Sequence, residues 1–352
     1  MTGHIRMTSM REHESLQNAL RRGAGSAQAS GRRRFLTRAA SAAGYAALGG
    51  RAWAAGANKV IRLIIPYPAG GGTDIIGRLF ASSAGEQLGR TVVPENHGGA
   101  SGLIGIQIVA RGEPVSVMGI SGIGTSVTLA LTQKRMPYVI GRDLDAIAHL
   151  GEFGNLIVTR PDAPFKDLKG LIDAAKASEK PMFCGTPSRG SPSHLTLQYL
   201  CSVAGVKISA VPYQGHAAIM NDLLGGQLDM ALLSVPLSAK TVDAGMIKAL
   251  AVTSARRSVL LPGVPTADEA GLPGFEASLW NVLVTAHGAS REALEQINRA
   301  TNAAFMSPAA QATLKAAGVD FRPYTLDGTR DFVEKERRKW AGITMQAGIV
   351  PE

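Results

Sequence analysis

One alternation governs the chain from residue 60 onward: an apolar run, a turn dense in glycine or proline, then a stretch whose apolar residues fall at helical spacing. The run VIRLIIP at 60–66 is apolar and β-branched enough for a buried strand, and Pro66, Pro68 and three glycines end it. Residues 73–88 then place Ile75, Ile76, Leu79, Phe80 and Leu88 on one helical face. Thr73 is the expected N-cap, Asp74 suits the positive end of the helix, and Gly89 is the expected stop. The beat returns with strands expected at 115–120, 156–159, 181–184, 208–212, 230–233 and 247–253. Helices are expected at 167–177, after Ser191-Pro192, near 216–224 and 236–244, and from Ser290, Ser307-Pro308 and Thr329. Such alternation predicts parallel sheets flanked by helices, and the number of strand candidates predicts two α/β domains.

The 352 residues suffice for two cores, and 45% apolar with 18% charged residues argues against disorder and against a chain embedded in a membrane throughout. A net charge of +10 invites a nucleic-acid reading. Residues 1–54, however, hold nine arginines against Glu12 and Glu14, so all but +3 of that charge belongs to this leader. No nucleic-acid partner is therefore expected. Within the leader, Arg32-Arg33-Arg34-Phe35-Leu36 resembles a twin-arginine export signal; a short Ala- and Gly-rich stretch and Ala52-Trp53-Ala54 follow, the order of a signal peptide and its cleavage point. The expectation is export to the periplasm, with Tat the favoured route over Sec. Cys184 and Cys201 match no zinc or redox spacing; buried free thiols are expected, with a bond between them the alternative.

Ligands of open α/β sheets bind beyond the carboxyl ends of strands, which singles out two loops. In residues 66–74 (PYPAGGGTD), three glycines let backbone N–H groups approach a ligand, and the following helix start favours an anion. The loop lacks both the phosphate-loop lysine and dinucleotide spacing, so a nucleotide is not expected; a tight turn is the plain alternative. In residues 185–194 (GTPSRGSPSH), Ser191 is foremost an N-cap, His194 a first-turn residue more suited to packing than to catalysis, and Ser188 and Ser193 lack a catalytic partner. Asp222 and Asp229 bracket a Gly-Gly turn, Trp280 and Trp340 read as core anchors, and no metal or other cofactor is expected.

With these loops in view, the chain resembles the tripartite tricarboxylate transporter substrate-binding proteins, the Bug family. The matches run in order along the mature chain: 61–74 (IRLIIPYPAGGGTD, with Tyr67 where Phe is usual), Glu95-Asn96, Met136-Pro137-Tyr138, 190–195 (GSPSHL), 211–215 (VPYQG), 222–229 (DLLGGQLD), 249–253 (ALAVT), 261–266 (LPGVPT) and 269–275 (EAGLPGF). The resemblance implies a two-domain periplasmic binding protein fold that closes like a flytrap, with the chain crossing between domains near 153–157 and 274–279. That places the export leader at 1–54, domain I at 55–155 plus 277–352, and domain II at 156–276. It also implies ligand-binding roles for Tyr67, Ala69, Gly70, Gly71, Thr73, Asp74, Ser121 and Thr125 in domain I, and for Thr186, Gly190, Ser191 and His194 in domain II.

Three departures stand out: His97-Gly98 replaces Arg-Pro, residues 111–115 are shortened, and Leu233-Ser234 replaces an Asp-Asn pair at a strand end expected to face the cleft. Leu233 would remove an acceptor for an ammonium group, so the expected ligand is a carboxylate without an amino group; the plain alternative is that Leu233 packs into the domain core and never meets the ligand. The reading is a monomeric binding protein that captures a small carboxylate and delivers it to an inner-membrane permease. A ligand sensor and, remotely, a serine hydrolase are the alternatives.

Overall fold

The computed structural model describes residues 60–346. The export signal and cleavage point expected within residues 1–54 lie outside the described residues. Two five-stranded sheets organise the rest. The first has the order β2-β1-β3-β10-β4, from β1 (Val60–Ile65), β2 (Thr91–Asn96), β3 (Val117–Gly122), β4 (Leu144–Phe153) and β10 (Leu279–Ala286). The second has the order β7-β6-β8-β5-β9, from β5 (Asn155–Thr159), β6 (Met182–Pro187), β7 (Ile208–Tyr213), β8 (Met230–Ser234) and β9 (Lys248–Val252). Each sheet is parallel but for one strand, β10 in the first and β5 in the second. In each sheet the reversed strand is the one the chain enters after passing from the other sheet.

The apolar spacing read from the sequence decides which faces are covered. Helices α1 (Gly72–Leu88) and α2 (Leu103–Ala110) pack on opposite faces of the first sheet: Ile76, Leu79 and Phe80 of α1 join Ile61, Leu63 and Ile65, while Ile106 and Val109 of α2 join Ile64. In the second domain α3 (Leu168–Ala177) and α4 (Pro192–Ala204) cover one face, and α5 (His216–Leu224) and α6 (Val235–Asp243) the other. The neighbours Leu232 and Leu233 therefore enter different cores, as strand alternation requires. The chain then returns through β10 to α7 (Arg291–Phe305), α8 (Pro308–Ala316) and α9 (Leu326–Gln346). Trp280 and Trp340 are buried, and both indole N–H groups donate to Glu336 Oε2, at 2.9 and 3.2 Å. Both are core anchors.

Several boundaries depart from the sequence reading, three of them with a visible local cause. The N-cap of α1 is Gly71 and not Thr73, which lies inside the first turn. Helix α9 starts at Leu326 rather than Thr329, because Thr325 Oγ1 accepts from the Gly328 N–H at 3.0 Å and opens the helix earlier. β3 starts at Val117, since Val115 has φ 55° and sends its N–H to Thr285 Oγ1 at 2.9 Å. Cys184 on β6 and Cys201 on α4 are free thiols.

Candidate ligand-binding cleft

The glycine loop runs from the end of β1 into α1. Gly70 takes φ 91°, a conformation that suits glycine, and Gly71 caps the helix with an extended backbone. The first α-helical hydrogen bond runs from the Ile75 N–H to the Gly71 carbonyl at 3.1 Å. The N–H groups of Gly72, Thr73 and Asp74 thus have no carbonyl within the helix and carry its positive end. Ideal Cβ atoms at Gly70 and Gly71 would meet nothing within 4 Å, so the backbone here borders open space.

Asp74 does not share that openness. It is 4% exposed and accepts from the Gly70 N–H at 2.9 Å, Asn96 Nδ2 at 2.9 Å and Arg78 Nε at 2.9 Å. Burial alone would raise its pKa, but these donors outweigh it and hold the carboxylate ionised, with its pKa lowered. Its bonds clip the loop onto the helix. Asn96 also donates to the Tyr67 carbonyl at 3.0 Å, and Thr73 Oγ1 donates to Asn281 Oδ1 at 3.2 Å. Burial pushes the Tyr67 phenol up to about 12, so it is a neutral donor at physiological pH. Beside it, Ser121 Oγ lies 2.8 Å from Thr125 Oγ1 and 2.7 Å from Ser126 Oγ, in a buried hydroxyl cluster where β3 ends.

The second loop mirrors the first. Ser191 caps α4, its Oγ accepting from the His194 N–H at 3.2 Å, and Pro192 takes the first helical position. His194 Nδ1 accepts from the Gly190 N–H at 3.0 Å, which orients the ring toward the loop backbone. Ser193 Oγ donates to Asn155 Oδ1 at 3.4 Å, and Ser188 Oγ lies 3.3 Å from Ser101 Oγ of domain I. Thr186 Oγ1 and Asn155 Nδ2 are fully buried and have no protein partner, an unusual state for interior polar atoms.

The loops meet. Besides Ser101 and Ser188, Thr128 Oγ1 donates to the Gly190 carbonyl at 3.3 Å, and a Cβ on Gly124 would lie 3.3 Å from Pro192 Cγ. On the other flank a Cβ on Gly72 would lie 3.5 Å from Pro236 Cγ of α6. Positive φ outside glycine occurs, among the described residues, at Ala100, Ser101, Val115 and Ser188, and three of these stand on the touching rims. Such strain costs about 1–3 kcal/mol per residue and gathers at ligand clamps.

The structure sets Tyr67, Ala69, Gly70, Gly71 and Thr73 between the end of β1 and the first turn of α1, with Ser121 and Thr125 buried at the end of β3, and sets Thr186, Gly190, Ser191 and His194 between β6 and the first turn of α4. Leu233 is not brought to the cleft. It is 1% exposed and packs with Leu156, Val235 and Val252, so its contacts belong to the domain core, while Ser234 caps α6 at the strand end. Residue order at a strand end shows that a side chain is near the cleft but not which sheet face it takes. Asn155 and Ser101 are not among the residues that the sequence marks. The Gly154-Asn155 step at the expected crossing and the glycine-rich run 98–102 were the available signals.

Comparison with known proteins sets this geometry in context. The family model described as "Tripartite tricarboxylate transporter family receptor" matches residues 76–349. Protein BugT of Bordetella pertussis is 31% identical over 293 residues, covering 82% of this chain and 90% of its own length. Among solved structures, Rpa4515 of R. palustris with adipate superposes with a TM-score of 0.76 at 29% identity, covering 83% of this chain and 98% of that one. The periplasmic binding protein BugD gives 0.73 at 30% identity, over 83% and 99%. MatC from Rhodopseudomonas palustris with bound malate gives 0.71 at 26% identity, over 81% and 98%.

Proposed function

This chain belongs to the tripartite tricarboxylate transporter family of receptors, and from that premise we propose that it is an exported periplasmic binding protein. It captures a small carboxylate between its two α/β domains and presents it to a membrane permease. The observation that carries this reading is the pair of helix N-termini, α1 behind the glycine loop and α4 behind the serine loop, one on each side of touching rims. Each offers N–H groups with no helical acceptor, and Thr186 and Asn155 add buried polar atoms left unpaired by the protein. Such an arrangement holds an anion by aligned dipoles and neutral donors, without a lysine or arginine. Rpa4515 with adipate and MatC with malate are the relatives that point to carboxylates.

In this reading the domain boundaries fall at 155/156 and 276/277, and closure is favoured because both walls touch the ligand only when the domains meet. The test is a thermal-shift and calorimetric screen of mono-, di- and tricarboxylates, including adipate and malate, on the mature protein. A true ligand at 100 times its Kd adds about 2.7 kcal/mol of stability. A screen in which no carboxylate raises the melting temperature or gives heat would overturn the reading.

A further inference from the structure

Outside the cleft the described residues line a partly open cavity of about 490 Å³ beside the first crossing between domains. Its walls come from Glu152, Phe153 and Gly154 of the crossing, from 254–259 of domain II, and from α8 and the turn 318–322 of domain I. No residue of the glycine loop or the serine loop lines it. The volume suits a small organic ligand. Phe153, Val259, Val319 and Phe321 supply apolar surface, and four cations, Arg256, Arg257, Lys315 and Arg322, face it with the carboxyls of Glu152 and Asp320.

The cations are not equivalent. Arg257 Nε is tied to Glu269 Oε2 at 2.8 Å, and Arg322 lies 3.5 Å from Asp320. Among the described residues, Arg256 of domain II and Lys315 of domain I have no side-chain partner. Two positive charges, one from each domain, thus line one partly apolar cavity beside the crossing. We propose that this cavity is a second ligand site, taking a small organic dianion that bridges Lys315 of one domain to Arg256 of the other. Because its walls belong to both domains, occupancy is coupled to the angle between them.

Glu152 gives the site a proton dependence that a purely structural pocket would lack. Burial first, then the carboxylates of Glu276, Asp320 and Glu336 against the opposing charge of Arg322, raise its pKa to about 7. Lys339 pairs directly with Glu276, so that among the described residues Arg322 is the cation whose charge opposes the rise at Glu152. Below pH 7 the Glu152 carboxyl is neutral; above it, a negative charge in the wall opposes a dianion.

The experiment uses the mature protein carrying Gly71→Val, which obstructs the cleft, with adipate and phthalate as calorimetric probes at pH 6 and pH 8. The expected result is retained binding of at least one probe. It should weaken at least tenfold when Arg256→Gln and Lys315→Gln are added, and be weaker at pH 8 unless Glu152→Gln is present. Absence of binding in the Gly71→Val protein, or binding indifferent to the double substitution, overturns the proposal. Failure of the carboxylate reading of the cleft is seen separately, as identical binding by the wild-type and Gly71→Val proteins.

Discussion

Gly71 separates binding from folding better than any other residue of the glycine loop. Its φ of −81° is open to every residue and a Cβ there meets nothing within 4 Å, so the fold has no objection to a side chain. A ligand approaching the N–H groups behind it does. Gly71→Val is expected to leave circular dichroism and the melting temperature unchanged while raising the Kd of the cleft ligand by about 100-fold or more, equivalent to some 2.7 kcal/mol. Calorimetry beside a thermal melt checks both halves. His149 carries the residue-scale pH prediction. It is 2% exposed, ringed by Phe321, Tyr324 and Phe332, and burial pushes its pKa down to about 4 despite a hydrogen bond to the Arg322 carbonyl. A depressed pKa means stability that is full above the unfolded value of 6.5 and lost as pH falls through the folded value. Wild type should lose on the order of 2 kcal/mol between pH 7 and pH 5 through this group. Urea titrations of His149→Phe at the two pH values should show that part of the slope removed; an unchanged slope sinks the assignment.

At the scale of elements, the two crossings are not independent strands, because Thr253 ties them together. Its Oγ1 accepts from the Asn155 N–H at 2.9 Å and donates to the Ala277 carbonyl at 2.9 Å. Its own N–H donates to the Asn155 carbonyl and its carbonyl accepts from Ala277, both at 2.8 Å. Thr253→Val keeps the volume and the backbone bonds but orphans a buried N–H, so it should cost about 2–3 kcal/mol. Hydrogen exchange is expected to quicken first at Asn155, where the lost partner was. The helices show how far local signals reach. Asp167, Ser191, Ser290 and Ser307 all cap where the sequence places them, because a cap is decided by two or three adjacent residues. Local periodicity does not mark residues 91–96, 144–153 and 279–286 as strands; β4 and β10 pair only with partners far along the chain.

Over the whole molecule, α9 joins the domains as well as covering one of them. Trp340 lies at a ring separation of 6.2 Å from Tyr199 of α4, and Glu336 of the same helix accepts from Trp280 of β10. The last helix therefore contacts α4 beside the second sheet as well as β10 of the first. Export is the remaining whole-chain prediction. Intact-mass analysis of a periplasmic fraction should find a mature N-terminus within a few residues of Ala55. Arg32→Lys with Arg33→Lys should hold the full-length protein in the cytoplasm if the route is Tat. Full-length protein confined to the cytoplasm of the wild type would refute the leader assignment.

The alternation of apolar runs with capped helices was enough to specify two α/β domains and to mark the loops at 66–74 and 185–194, since both follow from short-range periodicity and turn chemistry. Family motifs spread along the chain carried the rest of that reading. Only the tertiary structure decided that Asp74 is consumed by Gly70, Asn96 and Arg78, that Leu233 turns into the core, and that Asn155 and Ser101 meet Ser193 and Ser188 of the serine loop. A residue's type and neighbours set what it can bind. Which partner it meets depends on strands and helices brought together from distant parts of the chain, and that long-range pairing is absent from any local pattern.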